Sequence, residues 1–378
     1  MRLAMVGSRG VPAMLSGVER VIEELSEELS AHGHEVIIYA RPWYLRAVKG
    51  VRYTGSARVI TTAGLSGKYT DAITHTLTAI CDAVRRKVDL IHVHCAGPAL
   101  MSFIPRLVSL PMVFTVHAPE WDRARWSLPA RFALRLGLTC GMKFASAVSA
   151  VSLNLCNFLV DAYNREVEYI PNGVRAVEPK KADIIRKYGL EPDKFGLYVG
   201  RIVQEKRVDL LIRAWQARKI ELPLVIVGDQ MQERGYASFC CRLAQKDARI
   251  GGDGRGKIMF LGPKIGRVLE ELYSNAAVVI LPSELEGMSL VLLEAAAYGK
   301  CVIAREMTAN REVLADAMMT FSDNSIDSLG EVIERCIADE ELRCQIGQKA
   351  RERVIREFSW TDISREYERL YQCALQRQ

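Results

Sequence analysis

The 378-residue chain is 49% apolar and 25% charged, the composition of a globular protein rather than a disordered or fibrous one, and its length favours two domains over a single core. Its net charge of +6 is concentrated early, since residues 1–173 hold 19 Lys and Arg against 14 Asp and Glu. Ten cysteines without a CxxC pair speak against a zinc module and for a reducing, cytoplasmic compartment, and the apolar start at residues 3–6 is too short for a signal-peptide core.

Short β-type runs alternate with helical ones. Residues 3–6 form a first strand leading into Gly7-Ser8-Arg9-Gly10. After Ser16-Gly17-Val18-Glu19 comes a helix whose apolar positions Val21, Ile22, Leu25 and Leu29 recur at helical spacing. Gly33 stops that helix and residues 35–40 give the second strand. Further strands fall at 89–94, 112–116 and 145–151, each followed by a helix or loop. The longest uncharged stretch, 144–160, is broken by Ser146, Ser149, Ser152, Asn154 and Asn157, so it reads as a buried strand plus helix rather than a membrane span.

The pattern turns at residues 169–173 and then restarts. A strand at 195–200 ends in glycine, and a helix follows through Leu210, Leu211, Ala214 and Trp215. Strands at 224–228, 258–261, 277–281, 301–304 and 318–321 continue the alternation, and residues 358–378 read as a terminal helix with its own start. Continuous apolar strands separated by helices imply parallel sheets covered on both faces. The expected fold class is therefore α/β: two Rossmann-like, doubly wound parallel-sheet domains, joined by a linker over 172–194. Ligands of such sheets bind at the carboxyl ends of the strands, here in a cleft across which the two domains face.

Four groups of residues invite chemistry. Arg201 and Lys206 emerge just past a strand, with Lys206 near the start of the next helix. Two cations and a helix N-terminus suit a diphosphate, the plainer alternative being a surface ion pair with Glu205. Glu286 sits in a loop after the strand at 277–281 and Glu294 in the following helix, among Leu292, Leu293 and three alanines. Carboxylates so placed accept from sugar and ribose hydroxyls. Gly7 and Gly17 belong to loops where backbone N–H groups approach a phosphate or sugar, although neither loop is a GxGxxG or Walker A sequence. All six histidines lie at or before His117, which falls at the carboxyl end of the 112–116 strand. His92 and His94 alternate on a strand with one core face, His32 and His34 flank Gly33, and His75 reads as a helix-surface residue. No HExxH pattern is present, and no metal or cofactor is called for.

Together these residues resemble the retaining, GT-B-fold glycosyltransferases of family 4 over essentially the whole chain. The most specific part is the E-x7-E pattern of Glu286 and Glu294 in SELEGMSLVLLEAAAYGKCVIA, preceded by GRIVQEK. The resemblance implies that Arg201 and Lys206 clamp the donor diphosphate, Glu286 meets the donor sugar and Glu294 the ribose. Gly17 is placed near the donor phosphate and acceptor, and His117 near the transferred sugar. The implied catalytic set is Arg201, Lys206, Glu286 and His117. The implied donor-binding set adds Gly7, Gly17, Gly287, Met288, Ser289, Leu290 and Glu294. On this reading residues 1–173 are an acceptor-side domain and 174–357 a nucleotide-sugar-binding domain, with the terminal helix at 358–378 crossing back to the first.

The stretches SRGVPAMLSGVERVIEELSEELSAHGHEVIIYARPWY and HAPEWDRARWSLPARFALRL look like bacterial rhamnosyltransferase-type enzymes that build surface polysaccharide. Two departures stand out. Arg207 occupies a position where the family usually has glycine, and His117-Ala118-Pro119 replaces an aspartate-glycine-containing stretch beside the donor sugar. The activity implied is retaining, metal-independent transfer of a hexose or deoxyhexose from a nucleoside-diphosphate sugar to a glycan or lipid-diphosphate-linked acceptor. A nucleotide-sugar epimerase on the same scaffold and a non-catalytic nucleotide-sugar-binding protein are the alternatives.

Residues 36–70 contain Arg41, Arg46, Lys49, Arg52, Arg58 and Lys68 with no acidic residue. Trp43-Tyr44-Leu45 lies among them, and interfacial aromatics with cations suit an anionic membrane surface, which makes peripheral contact with the inner face of the cell membrane an expectation. A second basic stretch, Arg123, Arg125, Arg131, Arg135 and Lys143, is answered only by Asp122. Without a recognised binding module, no nucleic-acid partner is expected.

Overall fold

The computed structural model describes residues 1–14, 16–47, 53–54, 56–65, 67, 70–123, 126–245, 256–322 and 324–377. Lys49, Arg52, Lys68 and Arg125 lie outside the described residues. The chain divides into two compact units, one of residues 1–173 with 360–378 and one of residues 174–359.

The first unit is built on eight strands: β1 (Arg2–Val6), β2 (Glu35–Ala40), β3 (Tyr53–Thr54), β4 (Ala57–Thr61), β5 (Leu90–His94), β6 (Met112–Val116), β7 (Ala147–Ala150) and β8 (Glu168–Tyr169). They lie in the order β3-β4-β2-β1-β5-β6-β7-β8, parallel except where β3 meets β4. All of β5, β6 and β7 is buried, which is why these strands read as unbroken apolar runs. The sequence did not announce β3, β4 or β8. In β4, Ala57 and Val59 turn inward while Arg58 and Thr61 are exposed, and β8 is only two residues long.

The helix Gly17–Ala31 opens on a capping box between Ser16 and Glu19 and buries Val21, Ile22, Leu25 and Leu29, as their spacing requires. The helix Trp360–Gln376 belongs to this unit, packing against the Gly17–Ala31 helix and against β6 and β7. It is tied there by Glu368, whose Oε1 lies 3.1 Å from His32 Nδ1 and 2.7 Å from His34 Nε2.

The second unit has six parallel strands: β9 (Gly196–Val199), β10 (Leu224–Val227), β11 (Ile258–Gly262), β12 (Val278–Leu281), β13 (Cys301–Arg305) and β14 (Met319–Phe321). Their order is β11-β10-β9-β12-β13-β14. Trp215, on the helix Val208–Ala217, fills the core beneath β9 and donates its indole N–H to the Leu222 carbonyl at 2.9 Å. Both sheets reverse their winding direction, between β1 and β5 in the first unit and between β9 and β12 in the second. Such switch points open a crevice beyond the strands' carboxyl ends.

Candidate functional site

In the second unit the recorded pairing of β9 with β12 covers Gly196 with Val278 and Leu197 with Val279, so the two strands part toward their carboxyl ends. The segments that follow them carry the implied donor residues. Gly228, after β10, approaches so closely that a Cβ there would overlap the Gly200 carbonyl. A glycine is therefore required to bring the Gly200–Arg201 backbone to the crevice. Residues Gln204–Lys206 make one 3-10 turn ahead of the Val208–Ala217 helix. The Glu284 N–H donates to the Glu205 carbonyl at 2.8 Å, which stitches the two loops together.

The side chains complete the join. The Lys206 ammonium donates to Glu286 Oε1, and these side chains are only 12% and 10% exposed. Arg201 donates to Glu205 Oε1 at 3.2 Å and to Gln232 Oε1 at 3.1 Å. Gly287, Met288 and Ser289 are buried and lead into the helix Leu290–Ala297, where the Ser289 side chain makes no cap hydrogen bond. The first N–H groups of that helix are thus left for another acceptor. Glu294 is half-buried on this helix and accepts from the Tyr273 hydroxyl at 2.9 Å, and the Tyr273 ring stacks on Tyr298 with centroids 5.6 Å apart. Two cations, a helix N-terminus and two spaced carboxylates stand at one switch point, suited to a diphosphate flanked by hydroxyl-bearing groups.

Arg207 explains the glycine expected in its place. Its backbone has φ +48° and ψ +42°, the left-handed region that costs an ordinary residue about 1 kcal/mol. The side chain is held by Asp209, at 3.3 Å, and by Glu284 and Asn324. The turn keeps its shape, and an arginine is anchored where a glycine would be unstrained.

In the first unit Gly7 has φ +119°, and a Cβ there would overlap the His94 carbonyl oxygen, so β1 and β5 meet at a position only glycine fills. Gly17 is the first residue of its helix. The loop between these glycines is held by glutamates of that helix. Glu19, fully buried, accepts from the Ser16 N–H at 3.1 Å, the Tyr44 hydroxyl at 3.2 Å and Arg9 at 3.3 Å. Glu23 accepts from the Ala13 N–H at 3.2 Å, and burial raises its pKa above the usual carboxylate range.

His117 follows β6 and is 9% exposed. Its Nε2 lies 2.9 Å from His94 Nδ1, and His94 packs on His92 with ring centroids 3.9 Å apart. His92 in turn reaches the Tyr371 hydroxyl at 2.8 Å and Thr115 Oγ1 at 2.7 Å. Burial lowers the His117 pKa to about 4 and those of His92 and His94 well below their ordinary value, with the neighbouring imidazoles adding to the effect on the latter two. All three are therefore neutral near pH 7 and act as hydrogen-bonding groups rather than cations. The sequence singled out His117 alone. The signal for its partners was the i, i+2 spacing of His92 and His94, which puts both on one face of a buried strand. Cys95, with φ +73° directly after β5, is a further strained residue at this switch point.

One expectation is corrected. His75 is not a helix-surface residue: it is 1% exposed, and burial lowers its pKa to about 4. The aromatic-basic stretch around Trp43 is divided: Trp43, 42% exposed, and Arg46 face outward, whereas its neighbours Tyr44 and Arg41 turn in. Tyr44 is 1% exposed and donates its hydroxyl to the Pro12 carbonyl at 2.6 Å, while Arg41 and the Trp43 indole both bond Asp71, at 2.8 and 3.0 Å. Among the described residues no three His, Cys, Asp or Glu side chains converge as ligands for a metal ion.

Two Rossmann-like units with a cation-carboxylate constellation at a switch point define the GT-B class of nucleotide-sugar enzymes. Two family profiles match the chain, "Glycosyltransferase Family 4" over residues 15–177 and "Glycosyl transferases group 1" over 180–353. The chain belongs to the group 1 glycosyltransferases of family 4, sugar-transferring enzymes. It is 25% identical to an uncharacterized glycosyltransferase of Methanocaldococcus jannaschii, over 100% of this chain and 99% of the relative. It is 31% identical to the lipopolysaccharide 1,2-N-acetylglucosaminetransferase of Salmonella typhimurium, over 46% of each chain. Anabaena HepE, crystallised with UDP-glucose, shares the fold with a TM-score of 0.81 at 18% identity, over 98% of this chain and 99% of that one.

Proposed function

We propose that this glycosyltransferase moves a hexose or deoxyhexose, with retention of configuration, from a nucleoside-diphosphate sugar to a glycan or lipid-diphosphate-linked acceptor of a surface polysaccharide. The observation that carries the donor assignment is the Lys206–Glu286 pair at the β9/β12 switch point, beside Arg201 and the helix N-terminus at Leu290. On this reading Arg201, Lys206 and the backbone from Gly287 to Leu290 hold the diphosphate, Glu286 the sugar and Glu294 the ribose. From the first unit, Gly7, Gly17 and His117 are assigned to the transferred sugar and its acceptor by family resemblance. The Salmonella relative's role in lipopolysaccharide supports the class of product, and the UDP-glucose bound by Anabaena HepE makes a uridine nucleotide the first donor to try.

The chemistry asks for stabilisation of a leaving nucleoside diphosphate while the sugar passes through an oxocarbenium-like state and the acceptor hydroxyl attacks from the leaving-group face. Arg201 and Lys206 supply fixed positive charge for that group, a role that divalent ions fill elsewhere, so transfer is proposed to be metal-independent. Arg201 and Lys206 pair with Glu205 and Glu286, and on this reading the diphosphate takes Lys206 from Glu286, which turns to the sugar hydroxyls.

A thermal-shift screen over UDP-, GDP-, ADP- and dTDP-sugars, then product analysis with the best binder, identifies donor and anomer. Arg201→Ala and Lys206→Ala should each cost about 3 kcal/mol of transition-state stabilisation, on the order of a hundredfold in kcat/KM. Turnover unaffected in both variants refutes the assignment. Donor conversion without any acceptor would mark an epimerase instead, and activity abolished by a chelator and restored by Mg²⁺ would refute metal independence.

A further inference from the structure

We propose that the helix Leu128–Phe144, with the short helix Phe103–Leu107 beside it, is the surface by which this enzyme docks on an anionic lipid membrane. The longer helix has two apolar faces, and only one serves the fold. Inward, Gly137, Leu138, Gly141 and Met142 are buried, the glycines letting the backbone close on Ala96 and Phe114. Outward, Leu128, Phe132 and Leu136 are 79%, 71% and 44% exposed. Their spacing of four residues puts them in one stripe about 12 Å long. The neighbouring helix adds Phe103, 40% exposed, and Leu107, 78% exposed. Leu128, Phe132 and Leu107, large apolar side chains left mostly in water, mark an interaction surface.

Charge identifies the occupant. Arg106, Arg135 and Lys143 are exposed on the same two helices, with Arg131 half-buried among them. Acidic groups close by include Glu120 and Asp122 of the preceding turn, and Asp122 stands 3.5 Å from Arg135. Neither helix carries an acidic residue of its own. An apolar stripe edged by cations fits the headgroup boundary of an anionic bilayer, with the aliphatic and aromatic tips entering the acyl region and the guanidinium groups at the phosphates. A second copy of the chain fits worse, because a two-fold contact through this face would set its cations against one another. Among the described residues no helix is long and apolar enough to cross a membrane, so the contact proposed is interfacial. This surface presents a longer apolar stripe than the Trp43–Tyr44 stretch, where Trp43 and Arg46 are exposed but Tyr44 is buried and Arg41 is paired with Asp71.

The proposal deepens the lipid-linked acceptor of the proposed function, and its test uses neither donor nor acceptor, so each can fail alone. The full chain is floated with vesicles of phosphatidylcholine, or of phosphatidylcholine with about a third phosphatidylglycerol. Binding to the anionic vesicles alone, weakening as salt is raised toward about 0.5 M, is expected. The double variant Leu128→Ser/Phe132→Ser should lower partitioning at least about tenfold, and Arg106→Gln/Arg135→Gln should erase the preference for phosphatidylglycerol. Trp43→Ala should float like the parent, and the variants of the two helices should keep the parent's circular dichroism and Tm, since their changed side chains face solvent. Three results would overturn the proposal: no flotation with phosphatidylglycerol vesicles, undiminished flotation of Leu128→Ser/Phe132→Ser, or a concentration-dependent dimer that this variant abolishes while vesicles are ignored.

Discussion

Replacing Lys206 by Met, Glu286 by Gln, and both together separates the structural duty of this pair from its chemical one. The two side chains are 12% and 10% exposed, so each charge depends on the other for most of its solvation. Removing one partner from a fully buried pair costs about 3–5 kcal/mol, because the remaining charge is stranded. With about a tenth of each side chain still wet, the low end applies, and each single variant should lose about 2–3 kcal/mol. The double variant strands nothing and should lose about 1 kcal/mol, giving a coupling of about 3–5 kcal/mol between the sites. Native-state hydrogen exchange read on β9 and β12 is the assay, since it reports on the second unit alone. Transfer must respond differently, because both variant positions are assigned to the donor. The double variant should recover stability and remain on the order of a hundredfold down in kcat/KM. Single variants within about 0.5 kcal/mol of the parent, or an additive cycle, would show that the pair is solvent-screened and that the donor does not have to displace it.

Acid should weaken the first unit. His75 and His117 have folded-state pKa values lowered to about 4, while the unfolded chain takes up the same protons near pH 6.5. Stability is therefore full above pH 6.5 and falls as pH drops toward 4, by about 2 kcal/mol per histidine at pH 5, and urea midpoints that do not move between pH 7 and 5 would refute this. Gly7→Ala puts a Cβ against the His94 carbonyl in a left-handed backbone, so thermal unfolding should show a loss of about 3 kcal/mol. His94→Phe removes the hydrogen bond to His117 Nε2 while keeping a ring in the stack, so kcat should fall about fivefold to tenfold with KM unchanged. Steady-state kinetics showing only a raised KM would assign His94 to binding instead.

What could be read from the chain follows from where each interaction's partners lie. Central strands such as β5 and β6 are buried on both faces, so five consecutive positions select for burial and the signal is local. A strand near the sheet's margin such as β4 is buried on one face only, and the exposed Arg58, its second residue, hides it. The donor residues were readable for a related reason, since Arg201, Lys206 and Glu286 each follow a strand end, and the short motif that holds each is contiguous. Their pairing was not, because Lys206 and Glu286 are eighty positions apart and meet only through the order of β9 and β12. The burial of the first helix's glutamates carries no such local signal, since a Glu every few residues has the look of a wetted face. Yet Glu19 and Glu23 spend their oxygens on the N–H groups of the loop before them, which would otherwise be left without acceptors.

His75 was within reach of the sequence. It lies four and eight residues before Ala79 and Ala83 on the buried face of the helix Thr70–Arg85, so helical phase alone places it inside. Tyr44 was not, because a six-residue helix has too few turns to set a phase, and its inward direction comes from bonds to Pro12 and Glu19 on other elements. The same limit applies to the outward stripe of Leu128, Phe132 and Leu136. Periodicity shows that a helix has an apolar face. Whether that face meets the core or the outside depends on which face the small residues leave open, and here Gly137 and Gly141 decide it by admitting the rest of the fold on the opposite side.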